Sequence, residues 1–167
     1  MSTTTPRLAT ADDIPQLVVV INRAYVAEAP FVHGQRTDPA SLLARMSNEN
    51  TWFLAIELNG GDGVASIAGC VCLDCDGQRG RIGLLAVDPA WQGRGLGAQL
   101  RRSAESLCQE KMCCPETELE VVSLRADLFS FYERMGYERA GTAPFPMPSL
   151  LKQPAHMVVM RRSNCRV

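Results

Sequence analysis

Apolar residues early in the chain recur every three to four positions. Ile14, Leu17, Val18, Ile21 and Tyr25 share one side of a 3.6-residue spiral, which predicts a helix over residues 11–29. Thr10 stands at the N-cap, Asp12 and Asp13 lie near the positive end, and Pro15 suits the first turn. A loop through Pro30, His33 and Gly34 leads to a second helix, PASLLARM, capped by Asp38. The period then shortens. TWFLAIEL (51–58), VASIAGCVCLD (64–74) and GRIGLLAV (80–87) read as strands divided by the turn-rich NGGDG and DCDGQRG. Such a meander predicts antiparallel pairing. The helical period returns over about 95–112, with Leu96, Leu100, Ala104 and Leu107 as its buried stripe. TELEVVSL reads as a strand, ADLFSFYERMG as a helix with Gly136 at C′, and YERAG as the start of another strand. HMVVMRR, after a Pro-rich loop, is the last strand, and residues 6–10 form a short first one. No linker divides the chain. The expectation is one α/β domain over 1–167, its core about 6–162, with a mixed, mostly antiparallel sheet flanked by helices.

Composition narrows the function classes. A net charge of −1 argues against a nucleic-acid binder that relies on overall basicity. The N-terminus is polar without an apolar h-region, and VVVI at 18–21 is too short to span a bilayer, so neither a signal peptide nor a membrane partner is expected. Seven cysteines fit a reduced, cytoplasmic thiol set better than a disulfide framework.

The chemistry concentrates in DPAWQGRGLGAQL, 88–100, between a strand and a helix. A helix N-terminus exposes unpaired N–H groups and partial positive charge, and glycines let a ligand approach the backbone. Arg94 adds a forked donor suited to phosphate. The stretch thus suits a pyrophosphate. It lacks the GxxxxGK[ST] of a P-loop. It matches GxGxxG/A through Gly93, Gly95 and Ala98, but three antiparallel strands precede it where a dinucleotide fold needs a first βα unit. It also matches Q/R-x-x-G-x-G/A through Gln92, Gly95 and Gly97, after a strand ending LLAV. Here the sequence resembles the GNAT superfamily of N-acetyltransferases. FYERMGY at 131–137 resembles that superfamily's "LYEKLGF" helix end, and the element order agrees over about residues 6–162.

The resemblance implies a GNAT-like fold whose fourth and fifth strands splay apart around acetyl-CoA. It implies cofactor contacts from Leu85, Ala86 and Val87 on the fourth strand, and from Gln92, Gly93, Arg94, Gly95, Leu96, Gly97 and Ala98 at the turn. It further implies a general acid, Tyr132, acting where the acetyl group passes to a primary amine of a small molecule or peptide. Some members carry a glutamate early on the fourth strand as base. Arg81 stands there and cannot serve. Glu28, Glu57 or a water chain are the alternatives, with Glu28 read first as a solvated surface carboxylate. Many members have Asn seven residues before the tyrosine, where this chain has Arg125. Tyr25, Glu28, Arg36 and His156 are candidate acceptor contacts, each with an ordinary packing or surface role as the bland reading. Arg101 and Arg102 read as a solvated helix face, one of them within reach of the 3′-phosphate of coenzyme A. Cys70, Cys72 and Cys75, and the pair Cys113 and Cys114, read as buried inert thiols rather than zinc ligands, so no metal is expected. A monomer or homodimer is expected. Two other functions stay open: a CoA-binding module without turnover, and a dinucleotide-dependent oxidoreductase.

Overall fold

Strand pairing follows the sequence alternation closely in the computed structural model, which describes residues 4–112 and 114–164. The seven strands are β1 (Arg7–Leu8), β2 (Thr51–Asn59), β3 (Ala65–Cys75), β4 (Arg79–Val87), β5 (Glu116–Val122), β6 (Glu138–Pro144) and β7 (His156–Ser163). They form one sheet in the order β1-β2-β3-β4-β5-β7-β6. All neighbours are antiparallel except β4 and β5. This mixed sheet is not the doubly wound parallel sheet that a dinucleotide fingerprint requires, so the match through Gly93, Gly95 and Ala98 is incidental.

Helices α1 (Ile14–Ala24), α2 (Pro39–Met46), α3 (Leu96–Met112) and α4 (Ala126–Glu133) cover the sheet. Leu17, Ile21 and Leu42 from α1 and α2 pack on Phe53, Ala55, Cys70, Cys72 and Leu84 on one face. Leu96, Leu100, Ala104 and Cys108 of α3, with Phe129 and Tyr132 of α4, pack on Leu54, Ile56, Val71 and Leu73 on the other. The α3 stripe ends on Cys108, with Leu107 only partly buried beside it. The first helix is shorter than its periodicity predicts. It opens with a 3-10 turn at Ala11–Asp13 and gives way to another at Tyr25–Glu28. Asp13 accepts from the Thr10 amide (2.8 Å) and from both ends of the Arg7 fork (2.8 Å each).

Arg101 corrects the reading of a solvated face. It is 5% exposed and pairs with Glu105 (2.5 Å), itself 7% exposed. Arg102 is exposed, as expected. Four of the five cysteines predicted to be buried and inert are buried, on two different faces. Cys113 lies outside the described residues.

Candidate functional site

Two neighbouring strands that part company create the site. β4 and β5 pair in parallel only from Arg79↔Glu116 to Ile82↔Leu119. Beyond that, β4 stays with β3 (Gly69↔Val87) while β5 stays with β7 (Val122↔Met157). The fork opens into a cleft of about 990 Å³ lined by both strands, the glycine turn, α4 and the segment after α1. β4 is bulged here: Cys70 pairs with Ala86 and Cys72 with Gly83, so Leu84 and Leu85 together face Val71. Leu84 takes a left-handed backbone (φ 46°) at a buried position, a conformation that costs a branched residue about 1–3 kcal/mol and persists only where its surroundings hold it. The Asp88 amide donates to Ala68 of β3 (2.8 Å). By strand alternation the Val87 amide points the other way, toward the fork.

The glycine turn closes one end of the cleft. Gly93 and Gly95 have φ of 76° and 78°, which only glycine adopts freely, and a Cβ on either would project into open space. The amides of residues 93–98 have no hydrogen-bond acceptor among the described residues; Gln99 is the first to bond, to Gly95 O (3.1 Å). Six unpaired amides in succession, five of their residues lining the cleft, make an anion cradle with no side-chain ligand needed. Gln92 is the anchor: its amide donates to Val87 O (3.0 Å), tying the turn to the end of β4. Asp88 caps the short turn before it and pairs with Arg23 of α1 (2.9 Å). Arg94 stacks on Trp91 (4.6 Å to the ring centroid) and does not line the cleft. Arg134, which sequence reasoning passed over, does line it. Ala86 is buried on the α1 side, so any contact it makes is through backbone.

The cleft also gathers Tyr25, Glu28, Arg36, Arg125 and Tyr132. Tyr132 is 8% exposed, edge-on to Phe131 and Tyr137, and its hydroxyl has no hydrogen-bond partner among the described residues. Burial, reinforced by the nearby Tyr25, raises its pKa well above the usual phenol range, so it stays protonated. Glu28 overturns the solvated reading. Its side chain is 13% exposed and lies 3.8 Å from the Arg125 guanidinium. Burial pushes its pKa up, against the opposing pull of Arg36 and Arg125. Arg125 sits at the N-cap of α4 and forks onto Asp127 (3.0 and 2.9 Å). Arg36 stacks over Tyr25 at 5.0 Å and has no ion-pair partner among the described residues. Two candidates lie elsewhere. Glu57 is on β2, bound to Arg7, and does not line the cleft. His156 is exposed at the start of β7, and the cleft is lined by Met157 instead. Arg81 is held by Asp76 (3.2 Å) and Glu118 (3.7 Å).

Comparison with known proteins agrees with this architecture. A family model described as an acetyltransferase (GNAT) domain matches residues 48–139, more than half of the chain. Ribosomal-protein-S18-alanine N-acetyltransferase from Escherichia coli superposes with a TM-score of 0.76 at 17% identity, covering 99% of this chain and 96% of that one. PaiA N-acetyltransferase from Thermoplasma acidophilum, solved in complex with coenzyme A, gives 0.74 at 17% identity, covering 96% and 99%. Ard1 from Thermoplasma volcanium gives 0.74 at 22% identity, covering 97% and 98%. At these identities the likeness carries the fold.

Proposed function

This chain belongs to the GNAT acetyltransferase family, and from that premise we propose that it transfers an acetyl group from acetyl-CoA to a primary amine held at the Tyr25–Glu28 end of the cleft. The observation that carries the reading is the run of unpaired amides at 93–98 in the same cleft that Tyr132 and Glu28 line. Acetyl-CoA supplies the activated thioester. The amides of Gly93, Arg94, Gly95, Leu96, Gly97 and Ala98 would hold its diphosphate, with Arg134 an added charge. Leu85 and Val87 present the open edge of β4 to its pantetheine arm, as the unpaired Val87 amide supports.

The acetyl carbonyl gains electrophilicity from a fixed amide donor on β4, which costs no reorganisation during reaction. The amine must arrive neutral, so it needs a base. Glu28 fills that role: its desolvated carboxylate accepts a proton more readily than a free one. Tyr132 donates to the departing thiolate. Alignment of amine and thioester in one cleft supplies much of the rest. Arg36, stacked on Tyr25 and without an ion-pair partner among the described residues, offers its guanidinium to an acidic group on the acceptor. Acceptors therefore range over small molecules and peptides, with carboxylate-bearing amines the first to test. Measuring thiol release from acetyl-CoA against a panel of amines, with and without a carboxylate, decides the reading. Amine-dependent release is expected. Tight acetyl-CoA binding without release under any amine would instead mark a binding module.

Gly95→Val is expected to weaken acetyl-CoA at least about tenfold, since a branched side chain at a φ of 78° costs about 1–2 kcal/mol and shifts the turn that holds the unpaired amides. Calorimetric titration checks it, and an unchanged Kd would remove the cradle. For Glu28 the sign follows from its role. The base works only when ionised, so kcat/KM falls as pH drops through a pKa lying above the ordinary carboxylate range. Glu28→Gln should lower the rate about 10²–10⁴-fold and flatten that acid limb. A pH–rate profile of the variant that keeps the limb would assign it to another group.

A further inference from the structure

At the closed end of the β4–β5 fork, away from the cleft, three cysteines meet. Cys75 ends β3, Cys108 lies on the buried face of α3, and Cys114 precedes β5. Their sulfur atoms all lie within 4.8 Å of one another, and the Cys75 and Cys108 sulfurs are 3.6 Å apart. All three residues are at most 5% exposed, and none lines the cleft. The backbone makes room for them: a Cβ on Gly80, the cross-strand partner of Cys75, would sit 2.3 Å from the Cys108 sulfur. A disulfide would use two of these sulfurs, leave the third idle, and require an oxidant. One central atom uses all three. Bonds of about 2.3 Å to each of three sulfurs set those sulfurs roughly 3.4–4.0 Å apart, a range that holds the 3.6 Å Cys75–Cys108 separation, with the third sulfur within 4.8 Å of both.

Charge decides which atom fits. Three thiolates carry three negative charges, and a buried unbalanced charge is expensive. Among the described residues, Asp74 beside Cys75 carries the same sign, and Cys108 faces the Cys75 and Cys114 thiols. No cation among the described residues acts on Cys75 or Cys108. Monovalent copper would leave a net −2 and zinc or cadmium a net −1. A soft trivalent ion leaves zero. We infer that Cys75, Cys108 and Cys114 form a tris-thiolate site for trivalent arsenic or antimony, taken up as the neutral hydroxide. The exchange is a condensation. Three S–H and three As–O bonds break, three As–S bonds form, and three waters leave: As(OH)₃ + 3 RSH → As(SR)₃ + 3 H₂O. No redox partner is needed and no net charge is buried. The occupant would staple β3, α3 and the lead into β5 together.

The test titrates the full, reduced chain with arsenite, and separately with cadmium and zinc chloride. Native mass spectrometry should show a gain of one arsenic less three hydrogens. X-ray absorption on the wild-type protein should show three sulfur neighbours and no oxygen, a result that does not depend on any variant folding. Cys108→Ala and Cys114→Ala should each weaken arsenite binding at least about a hundredfold. Cys70→Ala, on the other face of the sheet, should leave it unchanged. Arsenic coordinated by fewer than three sulfurs, binding undiminished in both variants, cadmium or zinc outcompeting arsenite, or no uptake at all would each overturn the assignment.

Discussion

Tyr132→Phe is expected to reduce kcat by about 10²–10⁴-fold while changing the KM for acetyl-CoA by no more than about threefold. The substitution removes one oxygen and little else. The Tyr132 ring packs edge-on against Phe131 and Tyr137, and those contacts survive in phenylalanine. The hydroxyl has no protein partner to orphan among the described residues, so stability should hardly move. On the proposed mechanism, what disappears is the donor to the departing thiolate, a phenol that burial keeps protonated. Steady-state kinetics with a saturating amine, alongside thermal melts, separates the two readings. A rate within twofold of wild type would reduce Tyr132 to packing. Tyr137, five residues on, is the contrast: its hydroxyl donates to Glu105 (2.8 Å) and meets Thr117 (3.1 Å), inside the core.

The second large effect is on stability. Glu105→Ala should destabilise the fold by about 3–5 kcal/mol, a large fraction of the stability of an ordinary domain. Glu105 gathers three donors: Arg101 (2.5 Å) and Tyr137 (2.8 Å) on one oxygen, and Arg162 of β7 (2.5 Å) on the other. The loss is large because of what remains. Arg101 would stay buried with no counter-charge, and its Nε already lacks a partner. Chemical denaturation measures the loss. The double variant Arg101→Met/Glu105→Leu should recover much of it, because the charge leaves together with its partner. If the single variant melted like wild type, the pair would have been solvated in practice.

This network shows where pattern reading runs out. Arg101 and Arg102 are adjacent and chemically alike, and periodicity could not say which one turns inward. Glu105, four residues on, and Tyr137, between α4 and β6, decided it. Glu28 is a parallel case. Its carboxylate read as solvated, and only the approach of α4, with Arg125 at its N-cap, took it out of water. Cys108 and Cys114 gave no metal-ligand spacing with Cys75, since their meeting depends on how α3 lies across β3.

By itself the sequence determined the elements and the turn chemistry. A 3.6-residue or two-residue apolar period is a local property, and glycine at 93 and 95 is a local demand for left-handed backbone. The order of elements, and with it the family, was legible for the same reason. Only the tertiary structure decided where β4 leaves β5, which charges are buried, and which of the candidate bases reaches the cleft. Those depend on pairings between residues far apart in the chain, and no local pattern encodes the point at which two strands cease to bond.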